Sequence, residues 1–317
     1  MKCRGIQNCR WIFGGGFTIA AVSLACAGLN GQSQLTEPVY RVAQQTATPA
    51  AVQPAAVQAA TTPAPGVQPA ATAPGAAGQP FDLTARPGEH PLAPVIRVCK
   101  ASMEHIDRNI TDYSCILIKQ ERLEDEATIG ERQIIDLRVR HQPFSVHMSF
   151  RQPHTGRKVV WVNGLNDNKL TVREGGLLGL IKVDFLPDSP TAMSGQKYPI
   201  YKIGIRNLLA ELTKHFEADT KYQESEVTIN PKAEVQKRSA TLIQVTHPIP
   251  RQNFRSHVSR IYFDNEHKIP IYYDAHMWPA KEGDPKPMEE SFAYTNLKVN
   301  NGFTARDFDK ENAEIFK

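Results

Sequence analysis

The stretch Phe144-Ser145-Val146-His147-Met148-Ser149-Phe150 decides the fold. Every second residue, beginning with Phe144, is large and apolar, and the residues between them are small or polar. Because successive side chains of a β-strand point to opposite faces of a sheet, this alternation predicts a strand with one apolar and one polar face. His147 alternates with two serines and is therefore expected to face solvent.

The same alternation extends into the flanking sequence. Segments 135–140 and 169–173 alternate apolar with charged or polar residues, and Val159 and Trp161 form a weaker case. An antiparallel sheet with one solvated face produces this pattern, whereas a parallel sheet buried on both faces does not. The predicted strands, separated by turn residues, are 113–124, 132–141, 144–151, 157–163, 169–173, 177–185, 222–229, 240–247, 258–264, 269–275 and 289–298.

Two further segments have the period of an amphipathic helix. Apolar residues recur at spacings of three and four within Pro94–Asp112 and again within Gly204–Asp219. The predicted fold class is therefore mainly β (α+β). We expect a single curled antiparallel sheet, or half-open β-barrel, of about 11 strands with two helices on its concave side.

The charge distribution excludes a nucleic-acid footprint. The chain has 317 residues with a formal net charge of +4. From residue 82 onward there are 33 Lys or Arg and 32 Asp or Glu, so the excess positive charge lies near the N-terminus. A nucleic-acid-binding domain needs a clustered basic face, and a nearly neutral domain with interleaved signs does not predict one.

Three segments differ in composition. Residues 1–27 combine a basic start, an apolar run and the sequence Ala25-Cys26-Ala27, which is typical of a cleaved signal peptide. Two alternatives stay open: the run is retained as a membrane anchor, or Cys26 is lipidated within a degraded lipobox-like sequence. Residues 28–88 are rich in Ala, Pro and Gln and predict a disordered linker. Residues 89–317 form the folded domain, which we expect to be exported to the periplasm or cell envelope, with or without a membrane tether.

Two of the five cysteines, Cys99 and Cys115, lie in the folded domain. Cys99 is on the apolar stripe of the first helix and Cys115 is in the strand that follows. In an oxidising compartment the two are candidates for a disulfide, which would stabilise the fold by roughly 3 kcal/mol. The alternative is a pair of buried free thiols. The sequence contains no CxxC pair and no Cys/His cluster, so no metal site is predicted.

The sequence contains no recognisable catalytic constellation. It lacks HExxH, GxSxG, P-loop and SxxK motifs, and nothing places its acidic residues and histidines together. We therefore predict no enzymatic activity and no cofactor. A hydrolase acting on envelope polymers would require Glu121 or a pair of histidines to converge in a cleft.

Charged residues on the strands have two interpretations. Arg138 and Arg140 share a strand face with Asp136. Lys119 and Arg122 flank Glu121. Such interleaved charges are typical of exposed cross-strand ion pairs. Alternatively, they contact an anionic head group or a partner at the rim of the barrel.

An ordered set of short motifs runs through the folded domain. The motifs are Lys119-Gln120-Glu121-Arg122, Arg138-Val139-Arg140, Gln142-Pro143-Phe144-Ser145-Val146, Gly156-Arg157, Tyr198-Pro199-Ile200, Gly204-Ile205, Asn207-Leu208, Tyr294-Thr295-Asn296-Leu297-Lys298-Val299-Asn300 and Asp307-Phe308. As a set they resemble the LolA-like envelope proteins, and more specifically an uncharacterised family of exported bacterial, planctomycete-type proteins with a domain of unknown function. The resemblance implies a half-closed β-barrel plugged by helices and an envelope location. LolA-like proteins carry lipoproteins or other lipids, so the resemblance also implies a hydrophobic ligand.

The apolar face of the sheet is the predicted ligand site. A curled sheet too wide for two helices to cover leaves a lined cavity for a lipid or a lipoprotein acyl chain, and large rings and thioethers suit such a lining. The alternative is that the same residues are simply packed core. A structural or protein-interaction module of the cell surface, without a small-molecule ligand, is the second functional hypothesis. The predicted ligand-binding residues are Leu137, Val139, Phe144, Val146, Met148, Phe150 and Trp161.

Overall fold

The structure, a computed structural model, describes residues 81–123, 126–176 and 181–316. The predicted signal peptide, Cys26 and the predicted linker up to residue 80 lie outside these ranges, and they stay predictions. Within the described ranges, no helix has both the length and the apolar composition that a membrane crossing requires.

A single antiparallel sheet of eleven strands organises the described residues. Its spatial order is β6-β5-β4-β3-β2-β1-β11-β10-β9-β8-β7, so β1 is central and β6 and β7 are the free edges. The sheet is curled but unclosed, which confirms the predicted mainly β half-barrel. The strands are β1 (Asp112–Glu121), β2 (Gln133–Arg140), β3 (Ser145–Gln152), β4 (Lys158–Val162), β5 (Leu170–Arg173), β6 (Lys182–Phe185), β7 (Glu226–Val235), β8 (Arg238–Thr246), β9 (Val258–Asp264), β10 (Pro270–His276) and β11 (Met288–Val299).

Apolar cross-strand pairs set the register of the central strands. Val139 lies opposite Val146, Leu137 opposite Met148, and Ile135 opposite Phe150. All six side chains are buried in one core cluster. A shift of one residue would turn these side chains to the opposite face, so burial of this face specifies the register. We call it the inner face of the sheet.

Three helices accompany the sheet: α1 (Ala93–Asn109), the short α2 (Pro190–Met193) and α3 (Ile205–Asp219). The predicted helices correspond to α1 and α3, whose buried residues join the same core cluster as the inner face. The start of α3 is fixed by β1, because the Ile205 backbone N–H donates to the Tyr113 hydroxyl at 3.0 Å. Gly204, at φ 112°, is required there because a Cβ atom would lie 2.9 Å from that hydroxyl oxygen.

The predicted disulfide is not formed. Cys99 and Cys115 are free thiols, both buried in the core. Burial raises the pKa of the Cys99 thiol to about 12, while its interaction with the Thr213 side chain of α3 opposes that rise. The Cys99 thiol therefore has a polar partner on α3, while Cys115 lies on β1. Burial also raises the pKa of Cys115.

The outer face of the sheet is not fully solvated, which corrects the prediction of a polar face. The C-terminal segment 301–316 runs across β3 and β4, and two short 3₁₀ turns within it, Ala305–Phe308 and Ala313–Phe316, pack there. Asp112 anchors this segment by accepting backbone hydrogen bonds from residues 301, 302 and 303 at 2.6–3.1 Å. The residues of the outer cluster are Val160, Val162, Phe308, Ile315 and Phe316.

His147 is buried beneath this cover instead of facing solvent. Its side chain is 6% exposed. Neither ring nitrogen has a hydrogen-bond partner among the described residues. Burial, together with the nearby cations Arg138 and Lys158, lowers the pKa of His147 from 6.5 to about 4. The strand alternation did place His147 on the outer face, but the sequence pattern does not show that a distant segment covers it.

Replacing His147 with leucine is expected to stabilise the fold. The substitution removes a buried polar ring without partners, which should raise the free energy of unfolding at pH 7 by about 1–3 kcal/mol. Since the folded-state pKa of about 4 lies below the ordinary 6.5, the unfolded wild type binds more protons between these values. Wild-type stability therefore falls as the pH drops through this window, and the advantage of His147→Leu widens.

Urea denaturation at pH 7 and pH 5 measures both effects. His154→Asn, in the exposed turn after β3 where φ is 61°, is the control and should leave the stability at pH 7 unchanged. A His147→Leu protein that is less stable than wild type at both pH values would show that the imidazole nitrogens have hydrogen-bond partners in solution.

Candidate functional site

A cavity of about 610 Å³ lies between α3 and the inner face of the sheet. Its walls come from α3, from strands β1, β9, β10 and β11, and from the segment between α2 and α3. Along α3 the lining residues recur at spacings of three and one, so they form one continuous stripe of the helix. The α3 stripe and the residue before it are Gly204, Asn207, Leu208, Glu211, Leu212, His215, Phe216 and Asp219.

The middle of the cavity is apolar and aromatic. Leu208, Leu212 and Phe216 of α3 face it from one side. From the sheet, the rings of Tyr273 and Phe292 stack with centroids 6.1 Å apart and planes within 8° of parallel. These walls offer hydrocarbon and ring surface to any molecule that enters.

One end of the cavity is charged, and the alternation of β1 explains why. Leu117, Lys119 and Glu121 share the inner face, so the residues after Leu117 carry an ammonium and a carboxylate into the interior. Lys119 and Glu121 are 2% and 5% exposed, and Lys119 Nζ donates to Glu121 Oε2 at 2.8 Å. Lys119 also donates to Gln196 Oε1 at 2.7 Å, and the backbone N–H of Lys197 donates to Glu121 at 3.1 Å. The buried pair therefore holds the segment that leads into α3.

A second charged network lies beside the first. Lys197 Nζ contacts Glu289 Oε1 at 2.7 Å and Glu290 Oε2 at 3.0 Å. The Tyr198 hydroxyl donates to Glu290 at 2.8 Å, and Arg122 pairs with Glu289 at 3.3 Å. Burial lowers the pKa of Lys197, but the two carboxylates outweigh it and raise that pKa overall. Burial and the Glu290 charge raise the pKa of Tyr198. The negative charges of Glu289 and Glu290 on β11 are thus balanced by Lys197 and Arg122.

At the other end, Asp219, His247 and Ser225 form a buried chain of polar groups. His247 Nε2 lies 3.3 Å from Asp219 Oδ2, and Nδ1 lies 3.1 Å from Ser225 Oγ. Ser225, His247 and Asp219 are thus arranged like a nucleophile, a base and a carboxylate that orients the base. Ser225, however, is 4% exposed and does not line the cavity, and the Phe254 ring stacks on His247 at 3.9 Å. The serine has no access to a molecule in the cavity, so the chain of groups fixes the end of α3 to the sheet.

The predicted ligand-binding residues lie on the inner face but not in this cavity. None of the seven is among its lining residues, and all seven belong to or pack against the core cluster. The part of the face formed by β2, β3 and β4 is filled. The Tyr201 ring of a 3₁₀ turn lies 6.3 Å from the Trp161 ring, and the Phe144 ring lies 5.9 Å from Trp161 on edge. In this half the side chains pack against one another and against the core, and their contact with a ligand stays a prediction.

The sequence contained a signal for the true position of the cavity. Leu208, Leu212 and Phe216 belong to the apolar repeat that predicts the second helix, Gly204–Asp219. Lys119 and Glu121 have the same strand parity as Leu117, so they were predictable as inward-facing charges. The prediction of an exposed ion pair is therefore wrong for Lys119 and Glu121, which are both buried. The described residues contain no group of three His, Cys, Asp or Glu side chains able to hold a metal ion.

The buried pair gives a stability prediction. Lys119→Met leaves the Glu121 carboxylate buried without its ammonium partner and is expected to destabilise the fold by about 3–5 kcal/mol. The double variant Lys119→Met/Glu121→Leu replaces both charges and should recover most of that loss.

Urea denaturation of the two variants measures the difference. Arg108→Met is the matched control, because Arg108 pairs with Glu104 on the exposed face of α1 and should cost less than about 1 kcal/mol. A Lys119→Met variant as stable as Arg108→Met would contradict the assignment of a desolvated ion pair.

Comparison with known proteins identifies a family but no activity. Mycobacterium tuberculosis lipoprotein LppX is 11% identical, with 68% of this chain and 100% of that chain covered and a TM-score of 0.39. MucB in the Pseudomonas aeruginosa MucA/MucB complex is 14% identical, with 67% and 59% covered and a TM-score of 0.36. A LolA superfamily protein from Nitrosomonas europaea is 8% identical, with 67% and 98% covered and a TM-score of 0.25.

These low TM-scores assign no ligand to the chain, and no curated protein matches it significantly. Residues 110–315, by contrast, match a family described as "Protein of unknown function (DUF1571)". The match confirms the predicted resemblance to a domain of unknown function and covers well over half of the sequence. The chain therefore belongs to the DUF1571 family.

Proposed function

We propose that this protein is an exported, non-enzymatic protein of the cell envelope that binds a hydrophobic ligand, a lipid or a lipoprotein acyl chain, in the cavity beside α3. The single observation that carries the proposal is the cavity of about 610 Å³ between α3 and the inner face of the sheet. Support for export comes from the signal-like composition of residues 1–27.

The size and lining of the cavity fit this role. Pockets of roughly 300–1,000 Å³ with apolar and aromatic walls and a few polar groups are typical ligand sites. Leu208, Leu212 and Phe292 line the cavity, and each Å² of apolar surface that a hydrocarbon covers there contributes roughly 25 cal/mol to binding. The carboxylates at both ends are paired within the chain, so the apolar middle is the surface available to the hydrocarbon.

Uptake of a fluorescent fatty acid by the purified protein tests the proposal. Binding of the fluorescent fatty acid to the wild type should be saturable. Native mass spectrometry of the protein mixed with membrane extract should show a retained lipid. Leu208→Trp places a large ring in the cavity and should weaken uptake at least about tenfold, because the ring occupies the space of the hydrocarbon.

Leu165→Trp is the matched control. Leu165 is 59% exposed in the turn after β4 and does not line the cavity, so the same substitution there should leave uptake unchanged. No uptake by wild type, or equal weakening by both substitutions, would count against a ligand in this cavity.

A second candidate function is a protein-interaction module, and one observation favours it. Ile181, Val183 and Leu186 are exposed at β6, one of the two free edges of the sheet. Exposed apolar edge strands are a common site of strand addition by a partner. Val183→Lys should abolish such an association in sedimentation analysis without affecting fatty-acid uptake, which separates the two functions.

A further inference from the structure

The carboxylates that line the cavity are all paired. Five acidic side chains reach it, and each has a cationic or hydrogen-bonding partner within the chain. An additional cation bound as ligand would therefore find no free carboxylate there. The pairs are Glu121 with Lys119, Glu211 with Lys202, Asp219 with His247, Glu289 with Lys197 and Arg122, and Glu290 with Lys197 and Tyr198.

Five lysine or arginine side chains also line the cavity, and one of them is left over. Lys119, Arg122, Lys197 and Lys202 take part in the pairs above. Arg255 has no ion pair and no hydrogen bond from its guanidinium within the described part of the chain. Its neighbours Phe254 and Ser256 are buried, so the backbone is held while the arginine side chain remains exposed at the cavity.

His215 presents a second unsatisfied group to the same cavity. Its Nε2 atom is buried and has no hydrogen-bond partner among the residues described. Glu211 Oε2 lies 3.8 Å away, too far for a hydrogen bond. Burial, and then the positive charge of Arg255, lower the pKa of His215 from 6.5 to about 4. The imidazole is therefore neutral at pH 7, and the tautomer protonated at Nε2 has an N–H to donate.

The apolar wall and these two groups are continuous. Leu208, Leu212 and His215 lie on one stripe of α3, and the seven residue steps from Leu208 to His215 span about 10 Å of helix. A hydrocarbon chain lying along the leucines would end beside the imidazole. An anion at that point would accept hydrogen bonds from both the Arg255 guanidinium and the His215 imidazole N–H.

We infer that the ligand is an anionic amphiphile, whose carboxylate or phosphate head group is bound by Arg255 and His215 while its hydrocarbon chain lies along Leu208, Leu212 and Phe216. The inference rests on the proposed function, namely that this cavity takes up a hydrophobic ligand. It adds the charge of the head group and the two residues that select it.

Competition between palmitate and hexadecanol tests the inference, because the two share a chain length and differ in charge. Each displaces a fluorescent probe from the full-length protein at pH 7.4. Wild type should bind palmitate at least about tenfold more tightly than hexadecanol, the scale of one charge-assisted hydrogen bond. Arg255→Gln should remove that preference by weakening palmitate alone, and His215→Leu should weaken palmitate several-fold. Arg255→Lys should keep part of the preference.

Arg251→Gln is the matched control. Arg251 lies in the same loop, pairs with Glu224 and does not line the cavity, so its loss should leave both affinities unchanged. Inorganic phosphate is the third probe. Failure of phosphate to compete with palmitate supports a head group that is part of an amphiphile. Displacement of palmitate by phosphate at comparable concentration would assign a free-anion site and overturn the inference.

The remaining outcomes separate this inference from the proposed function. Equal binding of palmitate and hexadecanol by wild type, with no effect of Arg255→Gln, overturns the inference and leaves a hydrophobic-ligand site standing. Binding of neither compound overturns the proposed function and the inference with it.

Discussion

The inner face of β1 is the constraint on which the rest of the structure depends. This strand is the middle one of the eleven, and its inward residues alternate from Tyr113 to Glu121. At one end the Tyr113 hydroxyl accepts the first backbone N–H of α3. At the other end Lys119 and Glu121 hold Gln196 and the chain that leads into that helix. Because both anchors lie on one strand, they fix where α3 crosses the sheet and therefore where the cavity is.

The two halves of the inner face differ because they are covered differently. On the β2–β4 side a 3₁₀ turn places Tyr201 against Trp161 and the space is filled. On the β9–β11 side, Leu208, Leu212 and Phe216 of α3 do not fill the space between the helix and the sheet, and the cavity remains. Charged groups inside such a space are tolerated only when they are paired, since an isolated buried charge costs several kcal/mol. The exception, Arg255, is exposed and is therefore free to select a ligand.

The sequence predicted the sheet well because each strand is specified by a pattern among neighbouring residues. Local patterns predicted a strand at the position of each of the eleven, although β7 begins four residues after and ends six residues beyond the predicted 222–229. It turns into β8 at Gln236-Lys237, two residues with positive φ that are not a typical turn pair. The cover over His147 and the free state of Cys99 depend on contacts between residues far apart in the chain. The parity of a strand places such residues on a face but does not show what packs against them.

The central claim is that the inner face of the sheet holds a ligand in the space that α3 leaves open. A crystal structure of the protein with palmitate tests it most directly. Continuous electron density for palmitate is expected between Leu212 of α3 and Phe292 of β11, ending at Arg255. A cavity closed by direct packing of Leu212 on Phe292, or palmitate bound elsewhere on the protein, would contradict it.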